Sequence, residues 1–203
     1  MLLQELRIAT ASAHKQLEQS LALQSQAFTL GHYKNLLLAW YKVLQTLEPR
    51  VWDHEEWRKL GVETTARRRA KLLFSDLQFF NLIPSLRPEA PIDTQFGEFP
   101  KSFAAALGCA YVLEGSTLGG QLIVKTAAHR WNLHPGAGAT FFAGHGSDTG
   151  RLWRNFLAGL EQWDTKNPKN ATAVTDAGRR TFQIFETQLS KSICNLHPSK
   201  VAR

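Results

Sequence analysis

Tyr111-Val112-Leu113-Glu114-Gly115-Ser116-Thr117-Leu118-Gly119-Gly120-Gln121 lies inside a run with no proline between Lys101 and Leu133. Its flanks are helix formers, with Phe103-Ala104-Ala105-Ala106-Leu107 before it and Leu122-Ile123-Val124 after it. Yet it carries Gly115, Gly119 and Gly120, and each interior glycine costs a helix about 1 kcal/mol relative to alanine. A helix here therefore needs a compensating reason. Gly115 and Gly119 are four apart and share one face. A face bare of side chains lets the backbone lie against something flat and wide. A close helix–helix crossing, or two helices broken by a loop, would also account for the glycines.

Working outward, the 203 residues suit one domain, read as 1–203, that buries a core unaided. Six Trp and twelve Phe need an interior. No repeat or disorder-prone composition is present. The longest apolar run, Phe103 to Leu113, is too short to span a bilayer. The N-terminus, Met1-Leu2-Leu3-Gln4-Glu5-Leu6-Arg7, lacks the basic region and apolar core of a signal peptide, which points to the cytoplasm and to no membrane. Cys109 and Cys194 have no metal spacing and read as buried free thiols. The net charge of +7 suits an anionic ligand or an acidic partner. The densest basic run, Arg67-Arg68-Arg69, has no interleaved aromatics and no nucleic-acid motif, so it reads as a solvated helix face and no nucleic-acid partner is expected.

Helical periodicity runs through the chain. Apolar residues at Leu2, Leu6, Ala9, Ala13 and Leu17 predict an amphipathic helix to about Leu21. Thr29 is placed to cap a second over Leu30–Glu48, before Pro49. A third is predicted from Thr64 to Phe80, followed by a proline-rich connection over 81–100. The glycine-bearing helix spans Lys101 to about Trp131, with loops at 134–138 and 144–146. Further helices are predicted from Ser147 to Trp163 and from Ala171 to about Leu196. No segment alternates as a strand, so the fold class is all-α, a bundle of six to eight helices.

On the first helix, His14 has small neighbours in Ala11 and Ala13. Glu18 lies one turn on, where a carboxylate can hold the imidazole and strengthen its free nitrogen as a metal ligand. Arg7 lies two turns back, about 10.5 Å along the same side. An ordinary surface pair between His14 and Glu18 is the alternative. The other histidines form no zinc or di-iron pattern, and no nucleophile elbow or dinucleotide loop is present. A macrocycle clamped between the two helices would use an axial imidazole on one side, close backbone on the other, and cations for its propionates.

Leu6-Arg7-x-Ala9-Thr10-x-x-x-His14-x-x-x-Glu18, taken with residues 111–121, resembles the heme oxygenases, and most nearly the bacterial, biliverdin-producing type that accompanies bacteriophytochromes. Ala139-Thr140-Phe141-Phe142 and Gly150-Arg151-Leu152-Trp153 extend the resemblance downstream. It implies heme b as substrate and cofactor, with His14 the proximal iron ligand and Glu18 its partner. Gly115 and Gly119 would lie against the porphyrin on a kinked distal helix, with Gly120 allowing the kink. Arg7, Tyr111 and, on the last helix, Arg179 would meet the propionates. Mammalian-type members carry an aspartate after the first distal glycine; here Ser116 stands there, so Ser116 and ordered water would carry part of the proton network.

The implied reaction consumes dioxygen and external electrons to open heme to biliverdin, with release of carbon monoxide and iron. An acidic ferredoxin, flavodoxin or reductase would supply the electrons, and a bacteriophytochrome would receive the product. A heme carrier of the same fold, without turnover, is the alternative.

Overall fold

A computed structural model describes residues 1–21, 23, 25–83 and 97–194. Among them are seven α-helices: α1 (Leu2–Leu21), α2 (Leu30–Trp52), α3 (Glu56–Lys59), α4 (Ala70–Phe79), α5 (Phe103–Trp131), α6 (Thr149–Lys166) and α7 (Ala171–Cys194). No strand forms among the described residues. His134 makes only isolated bridges to Ala137 and Gly138. The all-α expectation holds, and α1 begins and ends where the apolar periodicity predicts.

The helix ends follow local chemistry. Thr29 caps α2, accepting from the His32 N–H at 3.3 Å, while the Thr29 N–H donates to His32 Nδ1 at 3.2 Å. Ser102 caps α5 through the Ala105 N–H, and Asn132, left-handed at φ 54°, closes it. Residues 103–131 are helical throughout, so the three glycines interrupt no turn of α5.

Three expectations need correction. First, α2 does not stop before Pro49 but runs through it to Trp52. Proline removes one donor near the helix end, while Val51 and Trp52 are buried and hold the last turn in place. Second, the helix expected from Thr64 begins only at Ala70. Residues Thr65–Arg67 form a 3₁₀ turn, and Arg68 is extended, which breaks the pattern. Third, Arg67 and Arg69 are not a solvated face: they are 1% and 2% exposed, and only Arg68 stays outside, paired with Asp53. The helix α3 was not anticipated, being too short to show periodicity, and it buries Trp57. Residues 84–96 of the expected connection, and 195–196 of the expected last helix, lie outside the described residues.

The bundle is organised on α7, which packs against α1, α2 and α5. Where α5 crosses it, a Cβ on Gly108 would sit 2.1 Å from the Val174 carbonyl oxygen. Where α1 crosses it, a Cβ on Gly178 would meet Leu6 and Thr10 at 3.2 and 3.3 Å. Backbone meets backbone at Gly108, and side chains of α1 press on the α7 backbone at Gly178. Cys109, next along α5, is buried, bonds Thr181 Oγ1 at 3.0 Å, and has its thiol pushed up to about 12 by burial. The side chain of Cys194 lies outside what the structure describes.

The two inward arginines tie the 63–69 segment to α5 and α6. Arg67 pairs with buried Glu114 and donates to Leu152 O and Asn155 Oδ1, both at 3.0 Å. Burial pulls its guanidinium below the ordinary arginine value, and Glu114 opposes that shift. Glu48 reaches over from α2 to accept the N–H groups of Arg69 and Ala70, supplying the N-terminal cap that α4 lacks in its own sequence.

Gly108→Ala should destabilise the fold by about 3 kcal/mol or more, since an added methyl meets fixed backbone. Gly119→Ala, with nothing within 4 Å of its Cβ, should instead stabilise the protein by up to ~1 kcal/mol. Arg67→Met should cost about 3–5 kcal/mol by stranding Glu114, and Arg67→Met/Glu114→Leu should recover part of that. Urea unfolding midpoints check each.

Candidate functional site

Helix α5 has two unlike sides around its glycines. On one side Gly115, Leu118, Gly119 and Leu122 follow helical spacing and form a stripe. Leu118 and Leu122 are 44% and 46% exposed, the large apolar side chains that this helix leaves uncovered among the described residues. A Cβ at Gly119 would meet nothing, and one at Gly115 only the edge of Trp153, at 4.0 Å. Tyr111, half-buried one turn before Gly115, packs on the same Trp153 with ring centres 5.9 Å apart.

The other side is closed. A Cβ on Gly120 would lie 2.5 Å from the Phe142 carbonyl oxygen, so this glycine serves close packing of the 139–146 segment and not the open stripe. That segment is pinned from behind. Asp76 accepts the N–H groups of Thr140 and Phe141 at 2.9 and 2.8 Å, and Tyr33 donates to Gly138 O at 2.8 Å. Burial raises the Asp76 carboxyl above the usual carboxylate range, opposed by those two N–H groups.

Ser116 stands between the two sides and is half-buried. Its hydroxyl donates to Leu113 O at 2.6 Å and accepts from Arg69 Nη2 at 3.1 Å. Sequence reasoning missed Arg69, and with it Arg67, Glu114 and His145, because nothing in a basic run or an isolated histidine signals burial. His145, with its side chain 6% exposed, brings Nε2 within 3.9 Å of Glu114 Oε1, and neither atom has a hydrogen-bond partner. A glutamate inside an otherwise apolar helical run was the one available signal.

On α1, Arg7, Ala11, His14 and Glu18 form an exposed stripe. His14 is 56% exposed, and its Nδ1 lies 3.7 Å from Glu18 Oε2, a neighbourly distance too long for a hydrogen bond. The imidazole rests edge-on against Phe182 of α7, centroids 5.8 Å apart. Arg179 lies one turn before Phe182 on the same helix, exposed and paired with Asp176. The structure thus brings His14, Glu18 and the Arg179 turn of α7 together, and sets Tyr111, Gly115 and Gly119 together on α5. Gly120 belongs to the packed side.

These residues suit a flat apolar ligand with an iron centre and acidic edges. An uncovered glycine–leucine stripe matches a macrocycle face, and an accessible imidazole matches an axial ligand. Among the described residues no cluster of three or more His, Cys, Asp or Glu side chains is placed to hold a metal ion directly. No described helix is long and apolar enough to cross a membrane.

Over nearly its whole length the chain is similar to the heme oxygenase PigA of Pseudomonas aeruginosa, 26% identical over 186 residues that cover 90% of each chain. Its fold is that of the NO- and CO-bound heme oxygenase from Neisseria meningitidis. That likeness has a TM-score of 0.76 at 20% identity and covers 100% of this chain and 95% of that one. The family model for heme oxygenase matches residues 1–191, and the chain belongs to the heme oxygenase family.

Proposed function

We infer that this heme oxygenase holds heme b between α1 and α5, with His14 as the iron ligand, and opens it to biliverdin. The observation that carries this reading is the uncovered stripe of Gly115, Leu118, Gly119 and Leu122, where sparsely contacted glycines alternate with exposed leucines on a helix that buries its opposite side. Bound heme supplies the activation of dioxygen and is itself consumed, with carbon monoxide and iron released. The chain contributes orientation. His14 would present Nε2 to the iron, with the Glu18 carboxylate on the Nδ1 side of the ring at 3.7 Å. Gly115 and Gly119 let the α5 backbone come close to the ring, where side chains would hold it off. Arg7, Tyr111 and Arg179 supply cationic and hydroxyl groups for the two propionates.

Ser116 takes the position beside the reacting side of the ring and anchors water there. Electrons come from outside the protein, and its basic balance favours an acidic donor such as a ferredoxin, flavodoxin or reductase. A bacteriophytochrome is the acceptor we propose for the product.

Hemin added to the protein should give a Soret band, and a reductant with catalase present should convert that band to biliverdin absorption. A Soret band stable under reduction would favour a heme carrier. His14→Ala should lose the hemoprotein spectrum and regain it with added imidazole; an unchanged spectrum in the variant would remove His14 as ligand. Gly119→Ala should bind hemin roughly tenfold more weakly, because one methyl in a close contact costs about 1–3 kcal/mol. Absorbance titration measures it.

A further inference from the structure

The hydroxyl of Ser116 is not free to choose its bonds. It has one proton, and that proton is committed to Leu113 O at 2.6 Å, three residues back along α5. One of its lone pairs is taken by Arg69 Nη2 at 3.1 Å. The same Nη2 also donates to Leu113 O at 2.8 Å, so one guanidinium edge grips both members of the serine–carbonyl pair. What remains available to the half-open side of α5 is a single lone pair.

Arg69 is held for this. It is 2% exposed, and its guanidinium lies over the Phe141 ring at 4.9 Å, on the segment that backs the helix. Its own backbone N–H is fixed by Glu48 at 2.6 Å. A lysine in this place would offer a point charge without the planar fork. The side chain reaches Ser116 from the packed side of α5, so it is not required to touch anything bound on the open side.

We propose that Arg69 is a positioning residue which fixes Ser116 as a hydrogen-bond acceptor, never a donor, toward the ligand space on α5. The inference rests on the reading that Ser116 borders bound heme. Water held by Ser116 would then give one proton to the serine oxygen and point its other proton outward. In this way a side chain with no acidic proton can still orient a donor. Removing Arg69 takes away the donor that pins the serine oxygen, so the hydroxyl can divide its proton between Leu113 O and the ligand space and donate there in part.

The test uses carbon monoxide on the reduced hemin complex of the full chain, read by the C–O stretching band in the infrared. A donor aimed at the ligand lowers that frequency. The native protein should show one narrow band. Arg69→Met should add a lower-frequency component from the freed hydroxyl, and Arg69→Lys should fall between. Ser116→Ala should shift the native band, and Arg69→Met on the Ser116→Ala background should add nothing further.

If Arg69→Met leaves the band unchanged while Ser116→Ala moves it, the positioning role is overturned. If Arg69→Met has the same effect with and without Ser116, Arg69 acts only through packing, and the inference is again overturned. If Ser116→Ala leaves the band where it was, Ser116 does not border the ligand, and the placement itself fails together with the inference. Should Arg69→Met not fold, Arg69→Gln carries the same comparison, with its own thermal melt as the folding control.

Discussion

Close packing on the glycines at one level of α7 sets everything else. There α5 approaches so closely that Gly108 cannot carry a methyl, and α1 meets Gly178 through Leu6 and Thr10. Both walls of the proposed site are therefore indexed to the same turn of the same helix. From Gly108 to Gly115 is about 10.5 Å along α5, and from Thr10 to His14 about 6 Å along α1. A larger residue at the crossing would move both walls at points close to the chemistry. The crossing is a fold constraint and a site constraint at once.

The second determinant is electrostatic and hidden. Arg67 and Arg69 carry charge into the interior, where it is expensive unless matched. Glu114, Glu48, Leu152 O, Asn155 and Leu113 O do the matching. The result is a polar layer behind α5 whose partners come from α2, α5 and α6. Because arginine offers a planar fork of donors, each guanidinium satisfies several carbonyl or carboxylate groups from different elements. The layer braces α5 from the side away from its open glycine–leucine stripe.

How far the sequence goes can be judged residue by residue. Helical period placed α1 and α5 because each presents sustained apolar spacing with no proline. The bare face at Gly115 and Gly119 was legible because glycine's absence of a side chain is itself the signal. The glycines of α5 do not share one role. Gly108 and Gly120 serve close packing, whereas Gly115 and Gly119 leave an open stripe. Spacing cannot separate these, since a face is turned inward or outward only by its neighbours. The inward arginines were illegible for a different reason. Composition assigns charge to water, and only the partners at 48 and 114, distant in sequence, reverse that. Pro49 misled because local propensity was overridden by burial of Val51 and Trp52.

Helix α1 is built as a cantilever. Leu2, Leu6 and Thr10 are buried and clamp its first half, while no side chain beyond Thr10 is fully buried. Ala13, Leu17 and Leu21 merely rest against the core. His14 therefore rides on the overhanging part of the beam, and the opposite wall is the anvil, pinned from behind by Asp76, Tyr33 and the arginine layer. A load placed on α1 beyond Thr10 is therefore borne by the clamped first half alone, and the free half can give way while the core stays packed.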